Sequence, residues 1–125
     1  MARLKEDLQT ELEIKKSRFL CYLHASTSEK DAKDFIQQIK KAHPNATHHC
    51  YAFVIGEQNE IQRSNDDGEP SGTAGVPMLD VLNKAGMQDI VAVVVRYFGG
   101  IKLGAGGLIR AYGKSVSKVG GQAVL

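Results

Sequence analysis

"DIVAVVVRYF", Asp89 to Phe98, is the stretch on which the fold turns. Val91 to Val95 are five consecutive small or β-branched apolar residues. A half-solvated strand alternates apolar with polar side chains, whereas a run of this kind is buried on both faces. It predicts a strand at the middle of a sheet. Downstream, a helix runs from about Lys102–Gly106 to Val119, with Ile109, Tyr112, Val116 and Val119 expected on its core side. Upstream, Pro77 fits the first turn of another helix, where its missing N–H would be unpaired anyway. Val76, Leu79, Val81 and Leu82 supply its buried side, and Gly86 closes it as a C-cap glycine.

Further out, "ELEIKKSRFLCYLHA" (Glu11 to Ala25) reads as one or two strands around a polar turn at Lys15 to Ser17. "STSEKDAKDFIQQIKKAH" is the clearest helix, with Ala32, Phe35, Ile36 and Ile39 on one face. Ser28 and Asp31 form a capping pair at its start, and His43-Pro44-Asn45 stops it. "THHCYAFVIG" is a strand apolar on both faces, and "EQNEIQRSN" is a turn followed by a more polar strand. The order β-β-α-β-β-α-β-α is that of an α+β or α/β domain. The simplest form is an α+β fold, a mixed four- to five-stranded sheet with helices packed on it.

A chain of 125 residues fits a single domain, and 42% hydrophobic with 24% charged residues is a globular composition. A net charge of +2 does not demand nucleic acid, so only the distribution of charge argues for a polyanion. Cys21 and Cys50 have neither CxxC spacing nor the density of a disulfide scaffold, which predicts a reduced, cytoplasmic setting. The polar N-terminus lacks a signal-peptide core, and no apolar run approaches the ~20 residues that span a bilayer.

Charge is unevenly placed. From Arg96 to Lys118 there are six glycines, five basic side chains and no carboxylate. Arg110, Lys114 and Lys118, spaced by four, form one ridge on the last helix. Together with Arg96, Lys102 and the amides of Gly104, Gly106 and Gly107 they suit an anion, since glycine admits a phosphate to the positive end of a helix. The plain alternative is a solvated basic face with packing glycines. No GxxxxGK[ST] is present, and the GxGxxG pattern begun at Gly104 fails at Ile109, so no nucleotide cofactor is expected.

"RSNDDGEPSGTAG" bunches Asp66, Asp67 and Glu69 ahead of the hydroxyls of Ser71 and Thr73. It lacks the alternating ligands of a Ca²⁺ loop and reads more simply as a turn at Asp67-Gly68, with Ser71 or Thr73 capping the next helix. "PSG" is no GxSxG elbow. His48 and His49 point to opposite faces of their strand, and His48 with Cys50 makes no zinc site. Neither a catalytic residue nor a metal is assigned.

"RSNDDGEPSGTAGVPML" followed by "VVVRYFGGIKLGAGGLIRAYG" closely resembles the paired signature of the Impact N-terminal / YigZ family, and "EIKKSRFL" and "HHCYAFVIG" resemble its further blocks. The likeness runs from about Glu13 to Lys118. It implies a fold like the second domain of a small-subunit ribosomal protein and domain IV of elongation factor G, with a left-handed βαβ crossover. It implies a single Impact N-terminal-like domain over residues 1–125, without the ferredoxin-like second domain of bacterial relatives or the RWD-type domain of eukaryotic ones.

Eukaryotic relatives act in translational control, and nucleic-acid binding has been suggested for bacterial ones. The leading expectation is a non-enzymatic module for RNA or a ribosome-associated factor, with Arg96, Lys102, Arg110 and Lys114 on phosphates and Tyr97 or Phe98 stacking on a base. The alternatives are a protein-interaction surface in translational control, or a hydrolase or phosphotransferase. The last would set Asp66, Glu69 and Ser71 opposite Lys102 and the glycine amides across one cleft.

Overall fold

A computed structural model describes residues 2–120. The elements are β1 (Leu8–Ile14), β2 (Ser17–Ala25), α1 (Glu29–Ala42), β3 (His48–Ile55), β4 (Ile61–Asn65), α2 (Gly75–Lys84), β5 (Ile90–Tyr97) and α3 (Gly104–Gly120). The five strands form one sheet in the order β1-β2-β5-β3-β4. The valine-rich strand is therefore central, and Ile90 to Arg96 are all buried. All the strand pairings are antiparallel, so the expected mixed sheet is corrected. The cause is long-range: β5 inserts between the β1–β2 and β3–β4 hairpins, leaving β2 and β3 parallel to each other but not in contact.

The alternation of β5 divides the core in two. Val91, Val93 and Val95 face α1, meeting Ala32, Phe35, Ile36 and Ile39, the four residues expected on that helix's inner face. Ile90, Ala92 and Val94 face α2 and α3. The molecule is a three-layer sandwich, with α1 on one side of the sheet and the other two helices together on the opposite side. Ser28 caps α1 through Asp31 as expected, and Gly86 follows the last turn of α2 with φ +67°. No helix of the described residues is long and apolar enough to cross a membrane.

Two helix faces are rotated from expectation. On α3 the buried residues are Leu108, Ala111, Tyr112, Ser115 and Val116, while Ile109 is exposed. Leu108 and Ile109 both lie within reach of the Tyr112–Val116 line, and packing against the sheet selects Leu108. On α2 Met78 is buried and Val76 exposed, because Gly75, Met78 and Leu82 form the inward row. Leu79 and Val81 pack at its edge. The side chain of Val119 lies outside the described residues. Cys21 and Cys50 are free and buried, and both are opposite Val94 from flanking strands. That puts their backbones about 9–10 Å apart, too far for a disulfide.

Candidate functional site

The two long motifs meet at one end of the sheet, on the α2/α3 side. Arg96 follows Ala92 and Val94 on that face of β5, directly beside His48 of β3. Far from meeting solvent, Arg96 is only 5% exposed. Its Nη1 donates to both oxygens of Glu69, at 2.8 and 3.1 Å, and its Nε and Nη2 reach the Ser17 hydroxyl at 3.4 and 3.3 Å. Tyr112 donates its hydroxyl to the second Glu69 oxygen. The guanidinium lies over two aromatic rings, 5.5 Å from the centroid of Phe19 and 5.3 Å from that of Phe98. Arg96 therefore leaves the expected set of anion contacts: its charge is matched internally, and its donors hold protein groups.

His48 completes this cluster. Its Nδ1 lies 2.8 Å from the Asp67 carbonyl, which can only accept, so that nitrogen carries the hydrogen. Its Nε2 stands 3.4 Å from Glu69. Burial pushes the Tyr112 hydroxyl and the Cys50 thiol far above their usual values, so both stay protonated. The Cys50 thiol donates to the Asp66 carbonyl at 3.1 Å.

The acidic loop is held by its own side chains. Asp67 and Gly68 have φ of +43° and +88°, which makes the expected turn. Asp67 accepts from the His49 amide at 2.6 Å. The expected cap of α2 by Ser71 or Thr73 is corrected: Ser71 is exposed, and Thr73 donates to the Pro70 carbonyl at 2.6 Å. Asp66 takes that role from eight residues upstream of Ala74, accepting from the amides of Gly72, Ala74 and Gly75 at 2.9, 3.1 and 2.9 Å. Burial alone would raise its pKa, but these amides outweigh it and hold the carboxyl below the ordinary range. The loop does face the start of α3, as a hydrolase or phosphotransferase would require, yet Asp66 and Glu69 are engaged by the protein's own donors.

Two depressions open beside this scaffold. The first, about 410 Å³, lies between Pro70 and the start of α3, with Phe98, Leu103 and Leu108 as apolar walls, Lys102 in its lining and His48, Glu69 and Arg96 among its polar groups. Gly104 enters α3 there with φ +75°, which favours glycine. The second, about 340 Å³, is lined by Ile14, Lys15, Leu103, Gly107, Arg110 and Lys114 among others. Leu103 separates the two and belongs to both.

Sequence reasoning missed Lys15, which it treated only as part of a polar turn. The structure docks that turn against the glycine turn after β5. A Cβ on Gly99 would lie 2.0 Å from the Lys16 carbonyl oxygen, so only glycine permits the approach. Lys15 thereby joins Arg110 and Lys114, and the pair of exposed lysines between two strands was the available signal. Leu12 and Ile14 pack toward the α3 core, so the alternating Glu11 and Glu13 project to the other face of β1. Among the described residues, no carboxylate lines the second depression. Lys118, further along the ridge, donates to the Glu11 carbonyl at 3.1 Å. Tyr97 is withdrawn as a stacking candidate here, since it lies on the α1 face, 2.6 Å from His43 Nδ1.

The Impact N-terminal domain model matches residues 15–119. IMPACT family member YvyE of Bacillus subtilis (strain 168) is 65% identical over 115 residues, covering 92% of this chain and 53% of that protein. The chain thus spans about half the length of the curated relatives it matches. A crystal structure of a hypothetical protein superposes with a TM-score of 0.94 at 43% identity, over 99% of this chain and 63% of that one. Yih1, a two-domain translational regulator, matches with a TM-score of 0.55 at 22% identity, over 90% of this chain and 45% of that one, a likeness of fold.

Proposed function

Because this chain belongs to the Impact N-terminal domain family, we propose that it is a single-stranded RNA-binding module serving translational regulation. The translational setting is carried over from Yih1, whose fold it shares. The observation that supports RNA is the second depression: Lys15, Arg110 and Lys114 converge from a strand turn and a helix, with no carboxylate in the lining among the described residues. A cationic groove of this kind follows a phosphate backbone. Lys102, across Leu103, extends the line of charge to the first depression.

The groove makes a quantitative expectation. If these four cations each neutralise one phosphate, log K against log salt falls with a slope of about −2.8, at about −0.7 per contact on a single strand. The test is binding of the protein to labelled single-stranded RNA and to duplex DNA across a salt series. Replacing Arg110 and Lys114 with alanine should weaken RNA binding and flatten the slope by about 1.4. Salt-independent binding, or an unchanged slope in the folded double variant, refutes the reading. Recovery of a translation factor instead, with no RNA bound, would favour a protein-interaction surface.

A further inference from the structure

We infer that the first depression is a nucleobase pocket, in which one unstacked base of the bound strand lies on the ring of Phe98. The inference rests on the RNA reading and deepens it by assigning what the strand places beside the basic groove.

Phe98 is the decisive residue. The residue is 47% exposed, whereas Phe19 and Phe53 are buried completely. It is nevertheless firmly placed. Its amide donates to the Thr47 hydroxyl at 3.0 Å, and one ring face rests on the Arg96 guanidinium. That guanidinium is itself bonded to Glu69 and Ser17. The cation draws on one negative face of the ring, and nearly half of the residue still meets solvent. An aromatic ring backed on one face by a cation and partly exposed beside an apolar cleft is a stacking platform for a planar partner.

The surroundings narrow the partner. A volume of about 410 Å³ lies within the range of ligand clefts, and Pro70, Leu103 and Leu108 give it apolar walls. Lys102 in the lining supplies a cation for the phosphate of that nucleotide. Leu103 is shared with the groove of Lys15, Arg110 and Lys114, so a strand lying along the groove passes the pocket without leaving the surface. Of the polar side chains in the lining, Arg96 and Glu69 already bond one another and Ser17 and Tyr112 behind them, while Thr47 accepts from the Phe98 amide and His48 donates to the Asp67 carbonyl. They have little left with which to read a base edge. The pocket should therefore accept any base through its face, with purines favoured for their larger stacking surface.

The experiment compares a short single-stranded RNA with the same backbone lacking bases, against the wild-type protein, F98A, F98W and the R110A/K114A variant. Stacking on an aromatic side chain is worth about 1–3 kcal/mol per base, so F98A should weaken binding of the intact RNA roughly 5- to 150-fold. It should leave binding of the abasic strand and the salt slope unchanged, because no charge is removed. F98W should retain the affinity. The R110A/K114A variant should show the reverse pattern, a flatter slope on both strands. Equal affinity of wild type and F98A for intact RNA overturns the pocket while leaving the groove standing. Equal losses on both strands also overturn it, since the ring would then act only through structure. No binding of either strand at low salt overturns the groove and the pocket together.

Discussion

Replacing Glu69 with glutamine tests the buried cluster most directly. The side chains of Glu69 and Arg96 are 3% and 6% exposed, and the carboxylate accepts two bonds from Arg96 and one from Tyr112. Glutamine preserves the shape but removes the charge that compensates the guanidinium. It also turns one acceptor into an amide NH₂ that faces N–H or O–H donors. Breaking a buried pair from one side costs about 3–5 kcal/mol, because the remaining ion stays desolvated. Against a typical total of about 5–15 kcal/mol, that is a large share of the protein's stability. For a domain of this size it corresponds to a fall in Tm of roughly 10–25 °C.

The assay is urea unfolding with a common m-value, so that a shift in midpoint reports stability alone. The cycle is closed with R96M and the double variant. The pair should be coupled by at least about 2 kcal/mol, with the double variant less destabilised than the sum of the singles. A loss below about 1 kcal/mol for E69Q, or strict additivity, would refute the claim that these charges compensate each other in a desolvated site. Arg96 would then be a solvated cation after all, available to phosphates as its position in the sequence suggests.

Asp66 gives a pH-dependent expectation. Its folded pKa lies below the unfolded value, so its stabilisation is fully present above about pH 4–5 and is lost as pH falls through the folded value. D66N should cost about 1–2 kcal/mol at neutral pH and flatten the stability profile between pH 5 and 2; superimposable acid limbs would count against the cap. The glycines make a contrasting pair. G99A should destabilise by about 1–3 kcal/mol, since the new methyl meets backbone at Lys16. G113A, inside α3 with Val81 Cγ2 at an ordinary 3.8 Å, should be neutral or stabilising by up to about 1 kcal/mol, as thermal melts of both would show.

The sequence was most legible where the determinants are local. A run of β-branched residues marks β5 as central, and the periodicity of α1 names its buried face, because both signals live within a dozen residues. Strand direction does not: whether β5 runs with or against its neighbours depends on where two distant hairpins dock. The face of α3 was half legible, since Tyr112 and Val116 fit two rotational settings and only packing separates Leu108 from Ile109. The cap of α2 was misassigned because Ser71 and Thr73 stand at conventional spacing, whereas Asp66 reaches the same amides by a folded loop. The resemblance of the two long motifs identified the family without saying which of their charges remain free.

Arg96 and Glu69 are 27 positions apart, and each taken alone is a candidate reagent, one for an anion and the other for acid–base chemistry. Brought together they cancel, and the loop that looked like a set of reagents becomes a brace. Glu69 fixes Arg96, Arg96 supports Phe98, and Asp66 fastens the loop to the start of α2. What the brace presents to solvent is an aromatic face and a row of cations whose charges the cluster does not consume. The acidic loop therefore acts through its packing, and the RNA-binding surface proposed above falls to residues on the turn, the glycine-rich segment and the helix around it.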